Sequence, residues 1–303
     1  MQNVLVTDRL MKRFSGKIAV NQVNMTIKQG EIYGLIGQNG AGKTTLMRMI
    51  VGLAKPTMGS IELFGSKDLD NQRKRIGSLI ENPAVYGDLT VLSNLEVYQK
   101  LLGLSNQVNL TEIVDKVGLS EAKNRKAKQL SLGMKQRLGI AIAMMGNPEL
   151  LILDEPINGL DPAGIKEVRD LILELNQKNG VTILISSHIL GELHKIATCY
   201  GVLKNGFLVD QFTADDLSTR CREYINVAVD DVQKAKMILS EHINEDEIQM
   251  IEPNRVQIYN HTNEIARVNR ILVEQGVEVS YLGTDGQDLE SYFMRMMGGE
   301  QNV

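Results

Sequence analysis

GQNGAGKTT, residues 37–45, decides how this chain is read. It fits the spacing G-x-x-x-x-G-K-[ST], follows the short apolar stretch EIYGLIG, and precedes a helical pattern that begins at Lys43. That strand–loop–helix context is the one the motif requires. Glycines let backbone N–H groups turn inward around phosphate oxygens, and the helix N-terminus adds partial positive charge. The expected cradle is Gly37, Asn39, Gly40, Ala41, Gly42, Lys43, Thr44 and Thr45. Within it the Lys43 ammonium reaches the β- and γ-phosphates of a nucleotide, and the Thr44 hydroxyl ligates Mg²⁺. A plain glycine turn would need motif and context to coincide by accident. The glycines at 34, 37, 40 and 42 do not fit G-x-G-x-x-G, which sets the dinucleotide fingerprint aside.

Working outward, apolar positions Leu46, Met49, Ile50 and Leu53 continue the helix after the loop. Upstream, alternation predicts strands over Val4–Met11 and Ile18–Ile27. Downstream, KPTMG is a turn and IELFG a strand. GSLIENPAV, residues 77–85, reads as a short buried strand whose lip carries an acid, Glu81, before Asn82-Pro83. Such an acid is either a solvated strand end or part of a site. Residues 91–146 carry helical patterns, after which strands LLILD and VTILIS alternate with helices from Pro162 and from about Ile189. Two β stretches, YGVLK and GFLVD, close this part near residue 212. The alternation marks an α/β fold.

ELLILDEPINGLDP, residues 149–162, ends an apolar strand on two carboxylates. Asp154 is placed to hold Mg²⁺ through water, and Glu155 to orient or deprotonate an attacking water. Solvated acids at a strand end are the plain alternative, and the phosphate loop tips the balance against them. In QLSLGMKQRLGIAIAM, residues 129–144, Ser131 is a natural N-cap for a helix whose apolar face runs through Leu138, Ile142 and Met145. Ser131 and Gly133 at that helix start form a second expected anion site. Asp161 before Pro162 fits the N-cap and N1 preferences of another helix.

With these motifs in this order, residues 1 to about 215 resemble the nucleotide-binding subunit of an ABC transporter. SLGMKQR occupies the place of that family's LSGGQ signature, with Leu132 for a glycine and Met134 for the glutamine. The resemblance implies a P-loop NTPase domain with a mixed sheet core, an antiparallel β layer and a helical subdomain over about 85–146. It implies ATP hydrolysis with Mg²⁺ in a head-to-tail homodimer, Lys43 of one subunit and Ser131 and Gly133 of the other holding one ATP. Asp161 matches the residue that communicates across that interface, and His188 matches the switch histidine at the γ-phosphate. Phe14 falls where the family places an aromatic that stacks on adenine, and packing in the β layer is its other reading.

The family normally carries glutamine at the place of Glu81, as an Mg²⁺ ligand beside the membrane partner. Glutamate there, with a signature like SLGMKQR, is similar to the subgroup that exports or confers resistance to peptide antibiotics such as bacitracin and lantibiotics. That subgroup pairs the ATPase with separate permeases. Glu81, Asp154 and Glu155 near one cation would form a magnesium-linked switch, since like charges need a cation among them.

The 303 residues suit two domains. A net charge of −4 offers no footprint for nucleic acid. Cys199 and Cys221 belong to no CxxC or Cys/His pattern, which suits a reduced cytoplasmic compartment. MQNVLVTDRLMKRF does not read as a signal peptide, and no run approaches the ~20 apolar residues of a membrane span. Together with these absences, the resemblance implies a place at the cytoplasmic face of the membrane, held there by a permease. From about 216 to 303 the order β-α-β-β-α-β predicts a small α+β, ferredoxin-like accessory domain. Its final helix carries Leu289, Tyr292, Phe293, Met296 and Met297 on one face; Asp215, Asp216, Asp230 and Asp231 read as solvated helix starts or turns, and His242 and His261 lack evident partners. Dimer support is the expected role of this domain. The competing function classes are a soluble, non-transport ABC ATPase and a nucleotide-dependent regulatory module.

Overall fold

Alternating residues drive the first strands, β1 (Asn3–Phe14) and β2 (Lys17–Lys28), into an antiparallel pair that buries Leu5, Leu10, Val20, Val23, Met25 and Ile27. Both run longer than the alternation alone predicts. The computed structural model describes residues 2–104, 108–251, 253–286 and 289–296, and the chain divides into two compact units, Met1–Ala214 and Asp215–Val303.

After β3 (Ile32–Ile36), helix α1 (Lys43–Val51) buries Leu46, Met47, Met49 and Ile50 against the β layer and the main sheet. Gly52, left-handed at φ 92°, ends α1. Leu53 therefore falls beyond the helix and is 69% exposed, which corrects its expected place on the buried face. Strand β4 (Met58–Leu63) completes the antiparallel layer in the order β2-β1-β4.

Helix α2 (Leu69–Gln72) leads into β5 (Ile76–Leu79). The helical segment then holds α3 (Val91–Leu101), α4 (Leu110–Lys116) and α5 (Leu132–Met144), with Thr90, Asn109 and Ser131 as side-chain N-caps. Buried Asn94 ties the chain between β5 and α3, accepting from the Tyr86 N–H at 2.7 Å and donating to the Thr90 carbonyl at 2.9 Å. Helix α5 lies almost in backbone contact with β5: a Cβ on Gly77 would stand 2.0 Å from the Ala143 carbonyl oxygen. Only glycine permits that approach.

The remaining elements of this unit are β6 (Leu150–Asp154), α6 (Pro162–Asn179), β7 (Thr182–Ser187), α7 (Leu190–His194), β8 (Cys199–Lys204) and β9 (Phe207–Thr213). The six-stranded sheet has the order β5-β6-β7-β3-β8-β9, parallel except for β9. Strands β3, β6 and β7 are buried at every residue, as covered parallel strands require. Their register sets Asp154 beside Ser186, and Ile36 beside Ser187. The carboxyl ends of β6, β7 and β3 thus stand side by side, where open α/β sheets bind ligands.

In the second unit, α8 (Ala214–Arg220) leads to β10 (Tyr224–Val229), α9 (Val232–Ser240), β11 (Ile248–Ile251), β12 (Arg255–Tyr259), α10 (Ile265–Glu274), β13 (Val279–Asp285) and α11 (Leu289–Met296). The sheet order β11-β12-β10-β13 is antiparallel throughout, the strand arrangement of a ferredoxin-like unit. Ile225, Val227, Val256 and Ile258 pack with Leu239, Val268 and Leu272 as its core. Asp231 caps α9, Asp230 accepts from the Glu278 N–H, and Asp215 and Asp216 lie in the first turn of α8. Tyr292 and Phe293 are buried; Met297 lies outside the described residues. His261 does have partners: its two ring nitrogens stand 3.2 Å from Glu247 and Glu264, whose carboxyls lie below their ordinary range mainly through hydrogen bonds from Asn260 and Arg267, with His261 adding to both.

Candidate functional site

The loop between β3 and α1 is wrapped closely by its neighbours. Gly42 sits at φ 109°, and a Cβ there would stand 2.4 Å from the Ala19 carbonyl oxygen. That position needs glycine on conformational and steric grounds. The loop walls a cleft of about 470 Å³, lined by Gln38, Asn39, Gly40, Gly42, Lys43, Thr44 and Thr45 together with Phe14, Lys17, Ile18, Ala19, Glu155, Asn205 and Gly206. Gly37 and Ala41 support it from behind, Gly37 through its carbonyl and Ala41 as a buried residue. Phe14 is 48% exposed at the rim and carries the Lys12 ammonium 4.8 Å from its ring centre. It stands in the cleft wall rather than in the buried β layer.

Lys43 is nearly buried and donates to the Gly37 carbonyl at 2.7 Å, while its Nζ lies 3.1 Å from Glu155 Oε1. Glu155 follows β6 in a left-handed conformation, φ 49°, uncommon for a residue with a side chain. Its backbone N–H donates to Ser186 Oγ at 2.9 Å, and that hydroxyl donates to Asp154 Oδ1 at 2.6 Å. One serine on β7 therefore fixes both carboxylate residues at the end of β6. Glu155 Oε2 lies 2.8 Å from His188 Nδ1 and accepts from the His188 N–H at 3.3 Å. Glu155 Oε1 is buried, and Lys43 is its partner.

Helix α7, just past His188, is fastened through Glu192. Lys195 lies 2.5 Å and Arg169 of α6 2.8 Å from its carboxylate, and these bonds, Lys195 first, hold the carboxyl below its usual range. The anchor keeps the segment carrying His188 in place.

Ser131, Gly133 and Asp161 form a second locus, and none of them lines the cleft. Ser131 Oγ accepts from the Met134 N–H, and Asp161 Oδ1 from the Gly164 N–H. A Cβ on Gly133 would meet Leu160 and Gly164 at 3.7 and 3.8 Å, so the starts of α5 and α6 lie together. Glu81 is elsewhere again. It sits at φ 61°, half exposed, with Oε1 2.7 Å from Arg48 Nη2 on α1. Among the described residues no three His, Cys, Asp or Glu side chains gather to hold a metal ion. The expected trio of Glu81, Asp154 and Glu155 is not gathered in this structure, and Glu81 is paired with Arg48. A further cavity of about 510 Å³ lies at the amino ends of β6 and β7, beside the Arg75–Glu149 pair, and no expected site residue lines it.

Ser186, Lys17, Asn205 and Arg48 escaped the sequence reading. Ser186 belongs to the quoted strand VTILISS, but only the pairing of β6 with β7 gives its hydroxyl a task.

A family model described as ABC transporter matches residues 20–158. The bacitracin transport ATP-binding protein BcrA of Bacillus licheniformis is 39% identical over 302 residues, 99% of this chain and 99% of that one. The lantibiotic transport ATP-binding protein SrtF of Streptococcus pyogenes is 45% identical over 206 residues, covering 68% of this chain and 89% of its own. Among solved structures, the ATP-binding cassette MJ0796, a dimer in a post-hydrolysis state bound to ADP and Pi, is 25% identical with a TM-score of 0.63, over 69% of this chain and 98% of that one. The phosphate-loop motif on a cleft that Glu155 also lines, and similarity along essentially the whole chain, establish that this protein belongs to the ABC transporter family, as an ATP-binding subunit with ATPase activity.

Proposed function

We propose that this ATPase drives a separate membrane permease that exports, or confers resistance to, peptide antibiotics. The observation that carries the proposal is the similarity over 99% of both chains to a protein named for bacitracin transport, with a lantibiotic transport protein as a second relative. No described helix is long and apolar enough to cross a membrane, and the proposal assigns the crossing to the permease, with this chain held at its cytoplasmic face.

In the proposed cycle the phosphates of ATP lie along the loop from Gly37 to Thr45, and Lys43 turns its ammonium to them. The Thr44 hydroxyl and the Asp154 carboxylate are hard oxygen donors that suit Mg²⁺, which when bound neutralises charge on the phosphates. Glu155 takes the proton of the attacking water at Oε1, the oxygen that Lys43 frees when its ammonium turns to the phosphates. His188 holds Oε2 and so fixes the carboxylate plane. Ser131, Gly133 and Asp161 serve a partner copy in a head-to-tail homodimer. Their grouping at the starts of α5 and α6, outside their own chain's cleft, supports that role.

Co-expression with a candidate multi-span permease tests the proposal. The expected result is co-purification, an ATPase rate raised by bacitracin-like peptides, and a more resistant host. A chain that recovers no membrane partner and leaves the host as sensitive as before contradicts it.

A further inference from the structure

The tight turn between β8 and β9 is part of the nucleotide site, although no catalytic motif includes it. Asn205 and Gly206 are both at positive φ, 50° and 85°, between the paired residues Lys204 and Phe207. That is a two-residue turn of the kind Asn-Gly favours. The turn is bolted to the phosphate loop: the Gly206 N–H donates to the Ala41 carbonyl at 2.9 Å, and the Gly206 carbonyl accepts from the Asn21 N–H at 2.8 Å. Behind it, a Cβ on Gly37 would stand 2.5 Å from the Leu203 carbonyl oxygen. The turn thus has no freedom independent of the loop that holds the phosphates.

Asn205 lines the same cleft as Phe14 and Lys17, is exposed, and among the described residues its amide makes no hydrogen bond. We infer that the Asn205 side chain hydrogen-bonds the nucleoside half of bound ATP. An amide offers two donors and an acceptor, which match base edges and sugar hydroxyls alike. Phe14, the last residue of β1, supplies a flat apolar face to the same cleft, and Asn205 supplies the directional contact that an aromatic face lacks. The turn geometry alone accounts for an asparagine here, so the decisive variant keeps the turn and removes the amide.

Asn205→Gly does this, because glycine also accepts positive φ. The inference rests on the cleft being the ATP site, so the wild-type chain is measured first; absence of ATP binding there would overturn that reading by itself. Equilibrium binding of ATP and of tripolyphosphate to the full-length wild-type chain and to Asn205→Gly then separates the two halves of the ligand. The expected result is an ATP Kd raised about three- to tenfold, the effect of one neutral hydrogen bond, with the tripolyphosphate Kd within about twofold of wild type. ITP and 2′-deoxy-ATP place the contact on the base or on the sugar, according to which analogue no longer distinguishes variant from wild type. An unchanged ATP Kd overturns the inference. So does an equal weakening of ATP and tripolyphosphate, which would show that the turn acts only through the phosphate loop.

Discussion

Lys43 and Glu155 hold one another across the head of the sheet, Nζ to Oε1 at 3.1 Å, with side chains only 6% and 20% exposed. In the proposed function these are the cation that binds phosphate and the carboxylate that serves hydrolysis. On that reading, phosphate oxygens drawn to Lys43 would compete for its ammonium and release Oε1 toward the cleft, so that nucleotide binding would also free the base.

Replacing Lys43 by Met keeps the aliphatic stem and removes the charge. Charge-assisted hydrogen bonds contribute about 1.5–3 kcal/mol, so ATP affinity should fall about ten- to a hundredfold. Equilibrium binding with a fluorescent ATP analogue reads this directly; an unchanged Kd would remove Lys43 from the site.

Ser186→Ala should lower both stability and turnover. Its hydroxyl donates to the buried Asp154 carboxylate and accepts the Glu155 N–H, and leaving such groups unpaired costs about 1–3 kcal/mol. Ser186→Thr retains the hydroxyl and suits a strand, so it should recover most of the loss in melting temperature and in kcat.

Glu192 gives a pH signature. Lys195 and then Arg169 hold its folded carboxyl below the ordinary value of 4.5. A depressed carboxyl contributes stability that is present above 4.5 and is lost as pH falls through its folded value. Wild type should therefore melt above Glu192→Gln at pH 7, and the gap should close as the pH drops below 4.5. A gap that stays constant across that range contradicts the pairing.

Glu81→Gln removes the partner of Arg48 at an exposed position, where an ion pair contributes at most about 1 kcal/mol. With Glu81 paired to α1, ATPase rates titrated against Mg²⁺ should superimpose for wild type and variant after scaling. A steeper wild-type curve would restore the three-carboxylate arrangement expected from sequence.

What the sequence discloses and what it conceals divides along physical lines. The phosphate loop, the strand ending at Asp154-Glu155 and the caps Ser131 and Asp161 are local: each depends on residues within one strand–turn–helix segment. Contacts between distant segments leave no such trace. Ser186 meets Asp154 across 32 positions, Arg48 meets Glu81 across 33, and Asn205 joins the cleft only because β8 lies beside β3. Leu53 shows the opposite failure, since periodicity continues past Gly52 although the left-handed residue has already ended the helix. Glu81 shows the same limit, since its pairing with Arg48 depends on the fold bringing α1 against the segment after β5.

The central claim is that Glu155, held by Lys43 and His188, is the base of an ATPase. Single-turnover hydrolysis of bound ATP by the wild-type chain and by Glu155→Gln tests it most directly. The glutamine keeps size and shape and removes the basic oxygen, so the variant should bind ATP yet release phosphate at least about a hundredfold more slowly. Hydrolysis by Glu155→Gln at the wild-type rate would contradict the account.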